Sequence, residues 1–192
     1  MIHSRPQMLH SRPETIHTHQ TAPTQFVEAN GIRFAYRRFG KSDGVPLVFN
    51  MHFTGTMDHW DPLVTDGLAA TREVILFNNA GISSTSGVVP TSVEEMAANA
   101  AAFIKALGLA KVDVLGFSLG GLVAQEVTLA NPAVVRRLIL VGTGPRGGEG
   151  MATLTPEAQR PCSARHMKTR TMCGLASPSH RPRRARLRGR RF

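Results

Sequence analysis

Hydrophobic residues along the middle of the chain follow the patterns of strands and helices in turn. Phe26 and Val27 precede an Asn30-Gly31 turn, and apolar residues alternate after it, which predicts a β-hairpin. Continuous apolar runs are typical of strands that are buried on both faces of a parallel sheet. Four such runs follow the hairpin, at residues 46–50, 74–77, 112–115 and 138–141.

Helical spacing of apolar residues separates these runs. Residues 58–70 and 119–130 each predict one helix. The best-marked helix begins at a capping box of Ser92 and Glu95 and stops at Gly108. A hairpin followed by repeated strand–helix units predicts an α/β fold, with a mostly parallel sheet of about six strands and helices on both faces.

The chain divides into three parts by composition. Residues 1–22 are polar, repeat the sequence His-Ser-Arg-Pro and predict a disordered leader. Residues 23–158 carry the strand and helix patterns and predict the folded core. Residues 159–192 lose apolar periodicity and predict a basic tail of low order. The net charge of +10 resides there, because residues 160–192 hold eleven Lys and Arg and no acidic residue.

Composition also narrows the class of protein. The hydrophobic fraction of 42% is ordinary for a globular domain, and no apolar run reaches the length of a membrane span. With no recognisable signal peptide, a cytoplasmic location is expected. Cys162 and Cys173 both lie in the tail, so no disulfide framework is expected in the core. No metal site is predicted, since His59 with Asp58 and Asp61 is expected to lie on the surface.

One motif in the core indicates chemistry. Residues 116–121 read Gly-Phe-Ser-Leu-Gly-Gly and lie between a predicted strand and a predicted helix. A G-x-S-x-G sequence in that context is typical of the nucleophile elbow of a serine hydrolase. Residues 116–121 are called the elbow below. A sharp strand-to-helix turn exposes the serine oxygen above the sheet, where it can attack an acyl carbon.

The residues around Ser118 fit this interpretation. A sharp turn crowds its flanks, so Gly116 and Gly120 satisfy the need for small residues. Gly121 allows the helix to pack close to the strand. The N–H of Leu119, at the start of the helix, is placed to bind the oxyanion that develops during acyl transfer.

On these residues the chain resembles a known family. Residues from about 25 to 158 resemble the first half of an α/β-hydrolase of the small esterase, lipase-like or cofactor-free haloperoxidase-like kind. The loop 51–55 stands where this family usually has His-Gly and an apolar residue, although Met51-His52 differs from that pattern. The resemblance implies that the N–H of Phe53 is the second oxyanion donor. It also implies a small-molecule acyl substrate and neither a metal nor an organic cofactor.

The residues that would activate Ser118 are missing from the expected places. In α/β-hydrolases an Asp or Glu, and then a His, follow the serine along the chain. No aspartate follows Ser118, so the acid and the base of the site stay unassigned. The downstream acids and histidines are Glu126, Glu149, Glu157, His166 and His180.

The tail suggests why these residues are missing. A helix start at Thr155-Pro156 is broken by Pro161, and Arg, Pro, Ser and Gly dominate beyond it. This composition is typical of a GC-rich gene read out of frame, so we hypothesise a frameshift near residues 158–161. The chain would then be an incomplete α/β-hydrolase core that lacks the lid, the last strands and the acid and histidine loops. Impaired catalysis is the expected consequence.

A second class of function stays open. The chain could be a non-catalytic remnant whose basic tail binds polyanions such as nucleic acid. The tail has no aromatic residue except Phe192 to stack on bases, so specific nucleic-acid recognition is not expected. The sequence assigns no oligomeric state.

Overall fold

The computed structural model describes residues 17–52 and 54–145. These residues confirm the α/β fold, with a six-stranded, mostly parallel sheet. The elements in chain order are β1 (Gln25–Ala29), β2 (Ile32–Gly40), β3 (Leu47–Asn50), a 3-10 turn (Met57–His59), α1 (Pro62–Ala69), β4 (Glu73–Phe77), α2 (Val93–Ala106), β5 (Val112–Phe117), α3 (Leu119–Ala130) and β6 (Val135–Val141).

The sheet has the strand order β1-β2-β4-β3-β5-β6. β1 and β2 form the predicted hairpin, and Asn30 and Gly31 both have positive φ, 52° and 73°, as a tight two-residue hairpin turn requires. β2 pairs antiparallel with β4, and β4, β3, β5 and β6 then run parallel. The carboxyl ends of these four strands therefore meet at one edge of the sheet, which is where ligands bind in open α/β sheets.

Helices cover both faces of the sheet, as the sequence predicted. On one face α2 and α3 bury a cluster that includes Phe103 and Val123, together with Val48 and Val114 of the sheet. On the other face α1 covers a smaller cluster that includes Leu115 of β5. The apolar runs of the central strands are buried on both sides, which explains why they do not alternate with polar residues.

The helix predicted over residues 58–70 is wrong as a single element. The structure divides this segment into the 3-10 turn and α1, and Trp60 between them has extended backbone, with φ −72° and ψ 137°. The break arises because the Asp61 carboxylate accepts a hydrogen bond from the Leu63 N–H, and Pro62 occupies the first turn. A cap followed by proline starts a new helix at this point.

The other helix predictions are confirmed. α2 begins after Ser92, whose hydroxyl accepts a hydrogen bond from the Glu95 N–H at 3.1 Å. α3 has the predicted limits, Leu119 and Ala130. Gly108 follows α2 with a φ of 70°, a conformation that suits glycine after a helix.

The strand predicted at residues 138–141 begins earlier, at Val135. The residues added at its start include Arg136, which the apolar pattern did not cover. The Arg136 side chain forms an ion pair with Asp113. Asp113 of β5 is fully buried and accepts two hydrogen bonds from Arg136, at 2.7 and 2.9 Å, and one from Arg72 at 3.0 Å. These bonds tie β6 and the start of β4 to β5.

Part of the predicted disordered leader packs on the core instead. His19 and Ala22 are buried, and the His19 Nδ1 lies 2.9 Å from the Thr65 hydroxyl of α1. The His19 N–H also donates to the Asp66 carboxylate at 2.7 Å. Burial, and then the positive charge of Arg37, lower the pKa of His19. The polar composition of this segment predicted disorder. It could not reveal these contacts, because the partners of His19 are distant in sequence. Residues 1–16 and the predicted tail, 159–192, lie outside the described residues.

Within residues 17–52 and 54–145, no helix is both long and apolar enough to cross a bilayer.

Candidate active site

The elbow joins β5 to α3 through one strained residue. Ser118 has a φ of 55° and a ψ of −122°, a backbone conformation that residues other than glycine rarely adopt. Two hydrogen bonds hold it there. The Ser118 N–H donates to the Val141 carbonyl at 3.0 Å, and the Ser118 carbonyl accepts from the Gly121 N–H at 2.9 Å. The side chain is half-buried and makes no capping hydrogen bond to α3.

Two glycines make room for this turn. A Cβ at Gly116 would overlap the Gly120 carbonyl and lie 2.6 Å from the Cα of Gly121. A Cβ at Gly120 would overlap the Asn50 carbonyl and lie 2.6 Å from the Met51 carbonyl oxygen. In both cases the obstacle is backbone, which cannot rotate away as a side chain can. The crowding comes from the end of β3 as well as from the turn itself.

Gly121 approaches a further element besides β5. A Cβ there would overlap the Thr143 side chain and lie 2.5 Å from its Cβ, so the close approach is to the loop after β6. Gln125 of α3 fastens the same loop, because its amide donates to the carbonyls of Gly121 and Gly144 at 3.1 and 3.0 Å. The first turn of α3 is therefore held between β5 and the loop that follows β6.

The start of α3 presents backbone donors at the elbow. Leu119 is the first helical residue and Ser118 does not cap it with its side chain. The first N–H groups of a helix have no partner within the helix, and the positive end of the helix dipole lies beside them. Leu119 thus lies where an anion would be stabilised. Phe53, the other predicted oxyanion donor, lies outside the described residues.

The loop after β3 brings aromatic rings to the elbow. The His52 ring meets Phe117 edge-to-face, with ring centroids 5.6 Å apart and planes at 86°. Trp60 also contacts Phe117, at 6.1 Å. Phe117 is the residue before Ser118, so these rings pack on the last side chain of β5. Sequence reasoning missed Phe117 and Trp60, because they belong to segments that only the fold brings together.

A second histidine, His59, lies next to His52. His59 lies nearly parallel to His52, with centroids 6.2 Å apart and planes at 18°. The His59 Nδ1 accepts a hydrogen bond from the Thr56 N–H at 3.0 Å, which fixes the orientation of its ring. A neutral His59 therefore carries its proton on Nε2.

The acidic neighbours of His59 have structural roles. Asp58 forms an ion pair with Arg37 at 2.6 Å, and Asp61 caps α1. Among residues 17–52 and 54–145, no group of three or more His, Cys, Asp or Glu side chains is arranged to hold a metal ion.

Buried amides at the same edge of the sheet lack partners. Asn50 ends β3 and is almost fully buried, yet neither polar atom of its side chain has a hydrogen-bond partner in the structure. Asn78, after β4, accepts from the Met57 N–H at 2.7 Å through Oδ1, but its Nδ2 has no partner there. Buried polar groups are normally paired, so these two amides are exceptions at the edge of the sheet where β5 leads into the elbow.

No described residue is assigned as the acid or as the base that would activate Ser118. Glu126 lies on α3 behind the elbow. The other candidates, Glu149, Glu157, His166 and His180, lie outside the described residues.

A cavity of about 310 Å³ lies away from the elbow. It opens between the ends of α2 and α3 and is lined by Leu109 and Val135, which adjoin the starts of β5 and β6. Ser118 is at the opposite ends of these strands, so this cavity is not the candidate active site.

Comparison with known families identifies the fold family of this chain. A family model described as the alpha/beta hydrolase fold matches residues 45–170, about two thirds of the chain. The chain belongs to the α/β-hydrolase fold family. The matched span of this α/β-hydrolase includes β3, the elbow and β6. It also continues past residue 158, where the sequence placed the end of the core.

Curated relatives of this α/β-hydrolase include named enzymes. A candidate carbamate hydrolase, RutD, from Azorhizobium caulinodans is 34% identical over 99 residues, which are 51% of this chain and 37% of RutD. A candidate non-heme bromoperoxidase, BpoC, from Mycobacterium tuberculosis is 34% identical over 113 residues, 58% of this chain and 42% of BpoC. The chain thus spans about two fifths of the length of these relatives.

Solved structures extend the comparison. An alpha/beta hydrolase fold protein from Chitinophaga pinensis is 48% identical, with a TM-score of 0.66, over 67% of this chain and 47% of its own. Est816, an N-acyl homoserine lactone degrading enzyme, is 28% identical with a TM-score of 0.58, over 67% of this chain and 49% of its own. Both likenesses agree with the hydrolase fold.

Proposed function

We propose that the chain carries the nucleophilic part of a serine hydrolase for ester or related acyl bonds of small molecules, with Ser118 as the nucleophile. The strained backbone of Ser118 between β5 and α3 carries this proposal. Strain of this kind costs about 1–3 kcal/mol and persists only where its surroundings impose it, as Gly116 and Gly120 allow here. A turn that merely connected two elements would not need it.

The proposed chemistry is acyl transfer. The Ser118 oxygen forms a bond to the acyl carbon and loses its proton to water, the bond to the leaving group breaks, and the leaving group takes the electron pair. The negative charge that develops on the carbonyl oxygen is stabilised by the N–H of Leu119 and, by resemblance to the family, that of Phe53. The reaction uses neither a metal nor an organic cofactor, and we place it in the cytoplasm.

We further propose that turnover by this chain is impaired. Within its 192 residues no aspartate follows Ser118, and no described residue is assigned as its base. The oxyanion donors and the strained serine act in the first step. An acid–histidine pair normally activates both the serine and the water that releases the acyl group. We therefore expect Ser118 to react with a strongly activated acyl or phosphonyl group faster than the chain turns over an ordinary ester.

The names of the relatives support an acyl substrate. The similar proteins include a candidate carbamate hydrolase and an enzyme that degrades N-acyl homoserine lactones. Carbamates and lactones both present a carbonyl carbon attached to a heteroatom leaving group. Attack by a serine at such a carbon is the chemistry proposed here.

A fluorophosphonate probe tests the nucleophile. The phosphorus of the probe carries a fluoride leaving group and is strongly activated, so we expect the strained Ser118 of the purified chain to become labelled, with the site identified by mass spectrometry. Ser118→Ala should abolish the label. Ser83→Ala is the matched control, because Ser83 also has a positive φ, 52°, but is exposed in the loop after β4 and does not precede a helix.

The control separates activation from mere accessibility. Equal labelling of the wild type and Ser118→Ala, or no labelling of a folded wild-type chain, would contradict the proposal. Loss of the label in both variants would mean that folding, not the serine, controls the reaction.

A non-catalytic function is favoured by one observation. Residues 160–192 contain eleven Lys and Arg and no acidic residue, so this segment attracts polyanions such as nucleic acid without reading their sequence. The two proposed functions concern different segments of the chain and are tested separately.

A further inference from the structure

The cavity between the ends of α2 and α3 takes no part in the acyl transfer proposed for Ser118. Its volume of about 310 Å³ reaches the lower end of the range that small-molecule sites occupy in proteins. Protein interiors are close-packed and rarely leave voids larger than a water molecule. The packing of α2 against α3 therefore leaves an exceptional space on this side of the sheet.

The lining of this cavity is almost wholly apolar. Ile104 of α2, Val127 of α3 and Val135 of β6 belong to it and are each buried. Small residues leave the space between the two helices unfilled, namely Ala101, Ala102 and Gly108. Apolar walls that face an empty space lose dispersion contacts, and an apolar ligand would restore these contacts.

One charged side chain belongs to the lining. It is that of Lys105, which lies in the last turn of α2 and is exposed, so the charge is at the opening of the cavity. Within residues 17–52 and 54–145, no ion pair or hydrogen bond engages the Lys105 ammonium. The nearby Lys111 instead donates to the Ala133 carbonyl. An anionic group at the opening would therefore meet a cation that no described group neutralises.

We infer that this cavity binds a medium-chain aliphatic carboxylate, with the alkyl chain between α2 and α3 and the carboxylate at Lys105. An apolar cavity of roughly 150 Å³ holds benzene, so one of about 310 Å³ suits roughly twelve non-hydrogen atoms, the size of octanoate or decanoate. The carboxyl ends of α2 and α3 carry partial negative charge, which keeps an anion out of the apolar interior. The carboxylate therefore belongs at the opening and the alkyl chain inside.

Three ligands with the same alkyl chain test the role of Lys105. Octanoate, octanol and octylammonium are titrated into the purified chain, and isothermal calorimetry gives each affinity. We expect octanoate to bind most tightly, because only the carboxylate is attracted to the ammonium. Lys105→Met keeps a long apolar side chain without the charge, so it should weaken octanoate roughly two- to fivefold and leave octanol unchanged. Lys41→Met is the matched control, since Lys41 is exposed between β2 and β3 and does not line the cavity.

The length of the alkyl chain tests the cavity itself. Burial of each added methylene should raise the affinity roughly fourfold in the series from butanoate to octanoate. Acetate has the charge without the chain, so its binding measures attraction to cationic side chains alone, those of residues 160–192 included. Acetate should therefore bind far more weakly than octanoate.

A methyl spectrum locates the ligand in the wild-type chain. With ¹³C-labelled isoleucine methyl groups, octanoate should shift the signal of Ile104, which lines the cavity. The signal of Ile82, in the loop after β4 at the opposite edge of the sheet, should stay unchanged. Ile104→Val and Ile82→Val assign the two signals by their loss.

Several outcomes would overturn the inference. Equal affinities for acetate and octanoate would assign the binding to charge alone, and an octanoate affinity that Lys105→Met leaves unchanged would remove the role of that lysine. A shift of Ile82 without one of Ile104 would place the ligand at the edge of the sheet that carries Ser118. Ser118→Ala should bind octanoate like the wild type, so this site stands or fails independently of the proposed hydrolase function.

Discussion

At the scale of single residues, Ser118 keeps a costly backbone conformation because its neighbours leave no alternative. The carbonyl of Asn50 and the backbone of Gly120 approach so closely that a Cβ would not fit between them. The Ser118 N–H is meanwhile held by the end of β6. Three strand ends therefore define the position of one hydroxyl group. This is why a G-x-S-x-G sequence has meaning only in its structural context.

Substitution of Gly120 tests this arrangement. Gly120→Ala places a methyl group against the Asn50 carbonyl, so either β3 or α3 must shift. We expect a loss of about 1–3 kcal/mol in the free energy of unfolding, and at least a tenfold slower reaction with the fluorophosphonate probe. Urea unfolding and the labelling rate measure the two effects.

Gly67→Ala provides the control for that substitution. Gly67 lies within α1, and a Cβ there would meet nothing within 4 Å. Alanine is favoured over glycine inside a helix by about 0.5–1 kcal/mol, so this variant should be as stable as the wild type or more stable. If Gly120→Ala behaved like Gly67→Ala, the elbow would not be as crowded as described.

At the scale of elements, the buried Asp113 network fastens β6 to the sheet. The carboxylate has a bidentate contact with Arg136 and a further bond from Arg72, which precedes β4. The hydrogen bond from Arg136 is the main reason that the pKa of Asp113 lies below its ordinary value, and Arg72 adds to it. The position of β6 matters for the site, because its end holds the Ser118 N–H.

Asp113→Asn tests the network through its pH dependence. The amide leaves two arginines without their anion, and we expect a loss of roughly 2 kcal/mol in the free energy of unfolding, less than for a fully buried pair because both arginines are partly exposed. A carboxylate with a lowered folded-state pKa stabilises above its unfolded pKa of about 4, and this contribution is lost as the pH falls through the folded-state value.

Urea unfolding from pH 7 down to pH 3 measures this difference. The gap between the wild type and Asp113→Asn should narrow below about pH 4. Asp43→Asn, at an exposed loop position, should show no comparable gap. A gap that stayed constant with pH would mean that packing, rather than charge, accounts for the loss.

At the scale of the whole molecule, the uneven charge distribution is the dominant feature. Eleven cationic residues within 160–192 account for the net charge of +10, and the remaining chain is nearly neutral. A cationic segment binds polyanions by releasing counterions, so its affinity falls steeply with salt. This property is independent of the site at Ser118.

Replacement of six arginines by glutamine tests the second proposed function. The wild-type chain should be retained on immobilised DNA at low salt, and the variant should elute at lower salt, with a salt slope shallower by about five. Ser118→Ala should bind DNA like the wild type, and equal retention of all three proteins would contradict a role for the tail. The six positions are Arg183, Arg184, Arg186, Arg188, Arg190 and Arg191.

The predictions from sequence succeeded where local residues decide the structure. The Asn30-Gly31 hairpin, the Ser92 cap and the limits of α3 each depend on neighbours within a few positions, and the structure confirms them. The prediction failed at Asp61, where a cap and a proline compete with a continuous apolar pattern. It also failed at His19, whose partners are 46 and 47 residues away.

The sequence by itself determined the α/β class, the elbow at residues 116–121 and the hydrolase resemblance, because strand periodicity, helix caps and a short motif are local signals. Only the tertiary structure decided what surrounds Ser118. Asn50 and His52, at the end of β3 and just after it, meet the end of β5 because parallel strands bring their carboxyl ends to one edge of the sheet. Contacts across such an edge depend on strand order and register, which no local pattern encodes.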